Sequence, residues 1–500
     1  MISEASPKAR FWPRALKIIL VGLGLAMVGM APQAWAQAQV VALASGEYRL
    51  ASDSPFATSF EVIDSGVPGP TVLVTGGLHG NEPAGARAAR QIAGWKIASG
   101  RLIVIARTNE LALLANERRT PGVERAEGDL NRQFPRAEGD HANGLLAQAV
   151  WDLLREQRPD YLIDLHEGFD FTRRNPKSVG NSVIATAPLQ DLGRGMIAAV
   201  NATIEEPEKH FSLKRQPVLG SLARSAFDVL GIPSMIVETT TKGQAVAFRV
   251  RQQRVLIHSL LVQLLGVEHG PQVLVGTRAD GAGINVALYA SAGVSGQGPK
   301  RLELLLTTET GFHLRQVCAS DIRDGSLAQF DTVIFPGGSG SGQARALGPT
   351  GRSSVTDFVE GGGGYLGICA GAYLAANNYE WSLGILDANV IDRAHWKRGT
   401  GDVALEWTSG QQSGPIKYAN GPLYARGDDP LLPDFEILAT YRGEINKNDA
   451  PVGVMMDSPA IVVGTFGGGT VVCSSPHPEQ TQGLEPVLRD LVRRSVARIR

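Results

Sequence analysis

His79 and Glu82, in the run His79-Gly80-Asn81-Glu82, and His166, in Leu162-Ile163-Asp164-Leu165-His166-Glu167, are the residues whose types and spacing most directly imply chemistry. Two imidazoles and a carboxylate suit zinc, and three protein ligands leave a fourth tetrahedral position open, as in catalytic rather than structural sites. In Asp129-Leu130-Asn131-Arg132, a polar amide (Asn131) stands beside a planar two-pronged cation (Arg132), suited to gripping a substrate carboxylate. Glu238 follows Met235-Ile236-Val237, and a carboxylate at a strand end facing such a site has the place of a general base, with Glu167 the nearest alternative. Asp164, two residues before His166 on one strand face, is a candidate acceptor for that imidazole. Arg119 is a candidate second anchor or oxyanion clamp.

A second constellation is built around sulfur. Gly367-Ile368-Cys369-Ala370-Gly371 follows an apolar run and precedes a helix-like one, the pattern of a nucleophile elbow. His477 is available to activate the thiol and Glu479 to orient that histidine. Gly337 and Gly338, in Phe335-Pro336-Gly337-Gly338-Ser339, offer backbone N–H groups for an oxyanion. Cys318 and Cys473 read as packed small side chains.

These groups need strand ends to hold them. Val72–Thr75, the amphipathic stretch Ala84–Trp95, Leu102–Ala106, the helix-like Gly144–Glu156 and Tyr161–Leu165 alternate as in a parallel sheet covered by helices. A helical stretch at Val250–Leu265 ends this half, and the turn-rich segment through Gly283 reads as a linker. A second alternation begins at Ile284–Tyr289 and runs through Leu302–Thr307, Thr332–Phe335, Tyr365–Ile368, Ile461–Gly464 and Thr470–Cys473; Pro486–Arg500 spaces its apolar residues as an amphipathic helix. The expected fold class is α/β, with two open, mostly parallel sheets carrying helices on both faces. The expected division is a signal peptide at 1–36, a first domain at 37–268, a linker at 269–283 and a second domain at 284–500.

Composition narrows the partners. Across 500 residues the formal charge is only -1, which excludes the basic bias of nucleic-acid binding and leaves a small or peptide-like substrate. Lys8, Arg10, Arg14 and Lys17, the apolar stretch Ile18–Ala31 and Ala34-Trp35-Ala36 have the layout of a secretory signal, so a secreted, periplasmic protein with no membrane span after cleavage is expected. Three cysteines are too few and too odd a number for a disulfide framework, so at least one free thiol is expected.

The H-x-x-E, D-L-N-R, later-strand histidine and strand-end glutamate of the first half resemble the succinylglutamate desuccinylase and aspartoacylase family, relatives of the zinc carboxypeptidases. The resemblance spans roughly Val40–Val267. It implies zinc on His79, Glu82 and His166, carboxylate recognition by Asn131 and Arg132, transition-state help from Arg119 and Glu238 as base. Gly122–Gly128 is longer than the family's usual gap before D-L-N-R, so Arg118 is an alternative to Arg119. The elbow and His477-Pro478-Glu479 resemble class I glutamine amidotransferase-like domains, and the G-I-C-A-G-A-Y-L run is similar to the domain at the N-terminus of some biotin-protein ligases, across about Ile284–Gln482. The joint expectation is a zinc-dependent hydrolase of an amide or peptide bond in a carboxylate-bearing substrate, followed by a Cys-His-Glu domain. The alternatives are a ligand-binding or sensing module with silent sites, and a cysteine amidase with a non-catalytic zinc domain.

Overall fold

The computed structural model describes residues 42–270, 274–279, 281–408 and 412–497. The expected signal segment lies outside them, as does part of the expected linker. Two sheets organise the chain. The first has eight strands in the order Gly46–Leu50, Thr58–Asp64, Arg101–Ile105, Thr71–Gly76, Tyr161–Gly168, Ser234–Thr240, Ser182–Ala185, Ser212–Arg215. Its four central strands are parallel and its flanks are joined by antiparallel pairings, so the sheet is mixed. The central strands are apolar on both faces because helices cover both, as parallel sheets require. Pro83–Ile92, Gln190–Asn201 and Val246–Leu265 close one core, around Val74, Ile163, Val237 and Leu260. Leu145–Gln157 and Leu222–Leu230 close the other, around Leu73, Leu162 and Trp151.

The second sheet has nine strands, in the order Phe312–Val317, Ile284–Tyr289, Thr332–Phe335, Gly364–Ile368, Gly469–Ser474, Pro459–Phe466, Glu436–Tyr441, Thr400–Trp407, Gln412–Ala419. The first five run parallel; the last four add an antiparallel extension. Leu302–Thr307, read as part of the strand alternation, is not a strand: the helix Gly298–Leu305 occupies its start, and the edge strand is Phe312–Val317. Pro299 in the first turn favours that helix start, which a count of apolar residues overlooks.

The two halves are packed rather than tethered. Leu274 joins the first core and Val275 the second, both buried, inside the segment read as a linker. Arg251 and Arg254 of the helix Val246–Leu265 reach Asp321 in the second half at 2.9 Å each, all three buried. Arg87 bridges to Glu303 and Gln316. Among the described residues no helix is long and apolar enough to cross a membrane.

Candidate active sites

His79 and Glu82 lie at the carboxyl end of Thr71–Gly76, where ligands collect in open α/β sheets. Gly80 makes their turn possible, because a side chain there would meet the Ala112 carbonyl at 1.8 Å. Glu82 is the residue before the helix Pro83–Ile92. His166 and Glu238 are register partners on adjacent parallel strands.

His79, Glu82 and His166 each offer a donor atom within 4.8 Å of the others. The Nδ1 atoms of both histidines lie 2.8 Å from Glu82 oxygens. Their Nε2 atoms face carboxylates, Asp129 at 3.0 Å for His79 and Asp164 at 2.8 Å for His166. Thr75 in turn donates to Asp164 at 2.6 Å. Carboxylates behind both imidazoles fix the tautomers and leave Nδ1 free to face a metal, so the donor set fits a divalent ion. Burial opposes ionisation of Glu82, but His79 and His166 outweigh it and hold its carboxyl far below the usual range. Burial would likewise depress His166, yet Asp164 and Glu82 raise its pKa well above the ordinary imidazole value.

Burial pushes the Glu238 carboxyl up to about 8, against the lowering pull of His166 and with help from Glu82 and Asp164. Its Oε2 has no hydrogen-bond partner among the described residues. Glu167, the alternative base, is engaged elsewhere: Oε2 accepts from the Ala84 N–H at 2.9 Å and Oε1 pairs with Arg249. Asn131 is buried, with Nδ2 3.1 Å from His166 Nε2 and Oδ1 accepting from the Leu222 N–H. Arg132 spends one guanidinium nitrogen on the Asn131 carbonyl and has no ion pair among the described residues.

Arg119 is not brought to this cluster. Its guanidinium bonds the Arg125 carbonyl in an exposed loop. Arg118 is there instead, with Nη1 2.9 Å from Glu82 Oε1 and Nη2 3.1 Å from Asp129 Oδ2. Of the two adjacent arginines, Arg118 therefore reaches the cluster and Arg119 does not. Asp129, seen in the sequence only as the first letter of D-L-N-R, and Arg249 are the contributors that sequence reasoning missed.

In the second half, Cys369 sits between the strand Gly364–Ile368 and the helix Ala370–Ala375 with φ of 50° and ψ of -96°, a positive-φ conformation rare for a residue with a side chain. His477 and Glu479 follow Gly469–Ser474, the parallel neighbour of the cysteine's strand. His477 Nδ1 lies 2.8 Å from Glu479 Oε1. Burial disfavours the imidazolium, but hydrogen bonds to Cys369 and Glu479 hold its pKa up at about 10. A side chain at Gly337 would fall 2.8 Å from His477 Cε1, so that glycine lies directly against the imidazole. The carbonyls of Gly337 and Gly293 accept from the N–H groups of Ser295 and Ser339, and the Gly337 and Gly338 N–H groups donate to nothing among the described residues. All three cysteines are free, and burial pushes the Cys318 and Cys473 thiols up to about 12.

Residues 68–203 match the family model of the succinylglutamate desuccinylase/aspartoacylase catalytic domain, and residues 284–398 match that of the biotin-protein ligase N-terminal domain. A biotin–protein ligase of Schizosaccharomyces pombe is 25% identical over 236 residues, which are 41% of this chain and 35% of that protein. The chain thus spans about a third of that curated relative. A solved succinylglutamate desuccinylase/aspartoacylase of Rhodobacter sphaeroides is 23% identical over 45% of this chain and 66% of its own, with a TM-score of 0.34. A solved glutamine amidotransferase is 21% identical over 42% of this chain and 99% of its own, with a TM-score of 0.32. The first matched domain is of hydrolase type and contains a cluster suited to a metal. Glu238, His477 and Glu479 lie beyond the matched segments.

Proposed function

We propose that this chain is a zinc-dependent hydrolase of an amide or peptide bond in a substrate bearing a free carboxylate, with His79, Glu82 and His166 holding the ion. The observation that carries this reading is two Nδ1 atoms and a carboxylate converging in a buried site, beside a glutamate whose second oxygen is unpartnered. The bound ion supplies Lewis acidity toward the scissile carbonyl and the attacking water. Glu238 takes the water's proton and returns it to the leaving amine, and its raised pKa suits a group that must both accept and give a proton near neutrality. Arg118 donates to the oxyanion in place of Arg119, and the unpaired fork of Arg132 grips the substrate carboxylate with Asn131 beside it. The layout of the first 36 residues supports a secreted protein. Purified protein with zinc should release amine from a carboxylate-bearing amide, and Glu238→Gln should keep the ion while slowing release by roughly 100- to 10,000-fold. A near-wild-type rate in that variant assigns the base elsewhere.

For the second half we propose a cysteine nucleophile at Cys369, activated by His477 and Glu479, with the Gly337 and Gly338 amides facing the oxyanion. The strained elbow and the His477–Glu479 bond support it. A short iodoacetamide pulse at about pH 6, where an ordinary thiol is well under 3% ionised, should label Cys369 before Cys318 and Cys473, and His477→Ala should slow that labelling. Equal labelling of all three favours a binding module.

A further inference from the structure

We propose that Lys417 and Gln480 are positioning residues of the cysteine site, which keep the His477 Nδ1 proton directed to Glu479. The proposal rests on reading Cys369, His477 and Glu479 as a working triad. Lys417 lies on Gln412–Ala419, the edge strand of the antiparallel extension, outside the segment that matches the biotin-protein ligase N-terminal domain.

That strand holds the histidine loop at several points. The Lys417 carbonyl accepts from the His477 N–H at 2.8 Å. The Lys417 N–H donates to Thr481 Oγ1 at 3.0 Å, and the Thr481 hydroxyl donates to the His477 carbonyl at 2.8 Å. The Lys417 ammonium donates to Gln480 Oε1 at 2.7 Å. Two residues further along, the Ala419 carbonyl accepts from Cys369 Sγ at 3.4 Å, so one strand end touches both the nucleophile and the loop of its base.

The side-chain contact has a chemical consequence. An amide has a donor end and an acceptor end, whereas an ammonium is donor only. Lys417 therefore fixes Oε1 of Gln480 toward itself and leaves Nε2 facing the triad, 3.0 Å from Glu479 Oε1 and 3.1 Å from His477 Nδ1. Glu479 is held through Oε1 alone, since its Oε2 is buried without a partner. The Gln480 donor pins that oxygen where it accepts from His477. With the amide reversed, its oxygen would face the Glu479 carboxylate and compete for the His477 Nδ1 proton, turning the imidazole away from its orienting partner.

The test is the rate of Cys369 alkylation in the full chain, read by mass spectrometry under the same pulse. Lys417→Met should slow it roughly 3- to 10-fold, the range of one polar hydrogen bond, and Lys417→Arg, which keeps a donor-only cation, should restore most of the rate. In a Gln480→Leu background, with no amide to reverse, Lys417→Met should cause no further loss, an epistasis that a general loosening of the strand would not produce. Wild-type labelling in Lys417→Met, or an equal loss in both backgrounds, overturns the proposal while leaving the triad reading intact if His477→Ala still slows the reaction. If His477→Ala has no effect on wild-type labelling, the triad reading falls and this proposal falls with it.

Discussion

The two candidate sites sit at equivalent places, the carboxyl ends of central parallel strands, yet they balance charge in opposite ways. Around His79 and His166 stand four carboxylates, Glu82, Asp129, Asp164 and Glu238, against Arg118 and whatever proton the imidazoles hold. Around Cys369 a single carboxylate, Glu479, meets His477, the Gln480 amide contacts both, and the backbone of a neighbouring strand accepts from the thiol and from the His477 N–H. Acidic groups converging with paired imidazole nitrogens leave a shortage of positive charge that suits a cation. The cysteine site shows no such gathering of carboxylates, and its one imidazole is met by one carboxylate within the chain. On the proposed reading the contrast is between a site that holds a cation and one that relays a proton, both carried by α/β sheets.

The sharpest way to break that contrast is to remove a ligand. Glu82→Gln or His166→Ala should abolish binding of the about one zinc ion per chain expected of wild type, since two ligands leave too little coordination. Cys369 labelling should be unchanged in the same variants. Stoichiometric zinc in both, found by metal analysis, would remove the proposed ligand set.

The legible part of this molecule is the part whose chemistry is local. The positions of His79, Glu82, His166, Cys369 and His477 are legible because each stands near the carboxyl end of a strand, beside glycine or in a short motif, and that is where open α/β sheets place their groups. Arg118 against Arg119 is not, because which of two neighbours turns inward depends on the packing of the loop up to Gly128. The burial of Arg251 and Arg254 carries no local signal, because their partner Asp321 is some 70 positions away and meets them only where the halves pack. Leu302–Thr307 reads as strand although the helix Gly298–Leu305 covers its start, because a short apolar run fits either period. Of the antiparallel extension that carries Lys417, Ile461–Gly464 is legible as strand, whereas the outer strands are not, because register shifts at Val403/Leu405 and Ile437/Ala439 interrupt the two-residue alternation.

Arg118→Ala should lower the turnover number roughly 100- to 1,000-fold, the usual cost of losing an oxyanion donor, with zinc retained. Arg119→Ala, which loses only its bond to the Arg125 carbonyl, should change the rate about 2-fold or less. The reverse ranking, measured by steady-state kinetics on one amide substrate, would return the role to Arg119.

The smallest expected effect tests whether the halves can be treated apart. Asp321 accepts from Arg251 and twice from Arg254, and its Oδ2 also takes the Cys318 N–H at 2.9 Å. Burial alone would raise its carboxyl, but Arg254 and Arg251 outweigh burial and lower it. Asp321→Asn leaves two buried guanidinium groups short of a counter-charge, and should cost about 3 kcal/mol of stability at neutral pH. A carboxyl depressed in the folded state contributes fully above its unfolded pKa of about 3.9, and that contribution is lost as the pH falls through the folded value. The stability gap between wild type and Asp321→Asn should therefore be widest near pH 7 and shrink below about pH 4. Chemical denaturation at several pH values measures it. Wild type should unfold in one transition, because the helix that carries Arg251 and Arg254 also carries Gln253, whose amide holds the His166 carbonyl at 2.9 Å. Two separated transitions in wild type, or a gap that does not vary with pH, would mean that the ion cluster does not join the metal half to the cysteine half.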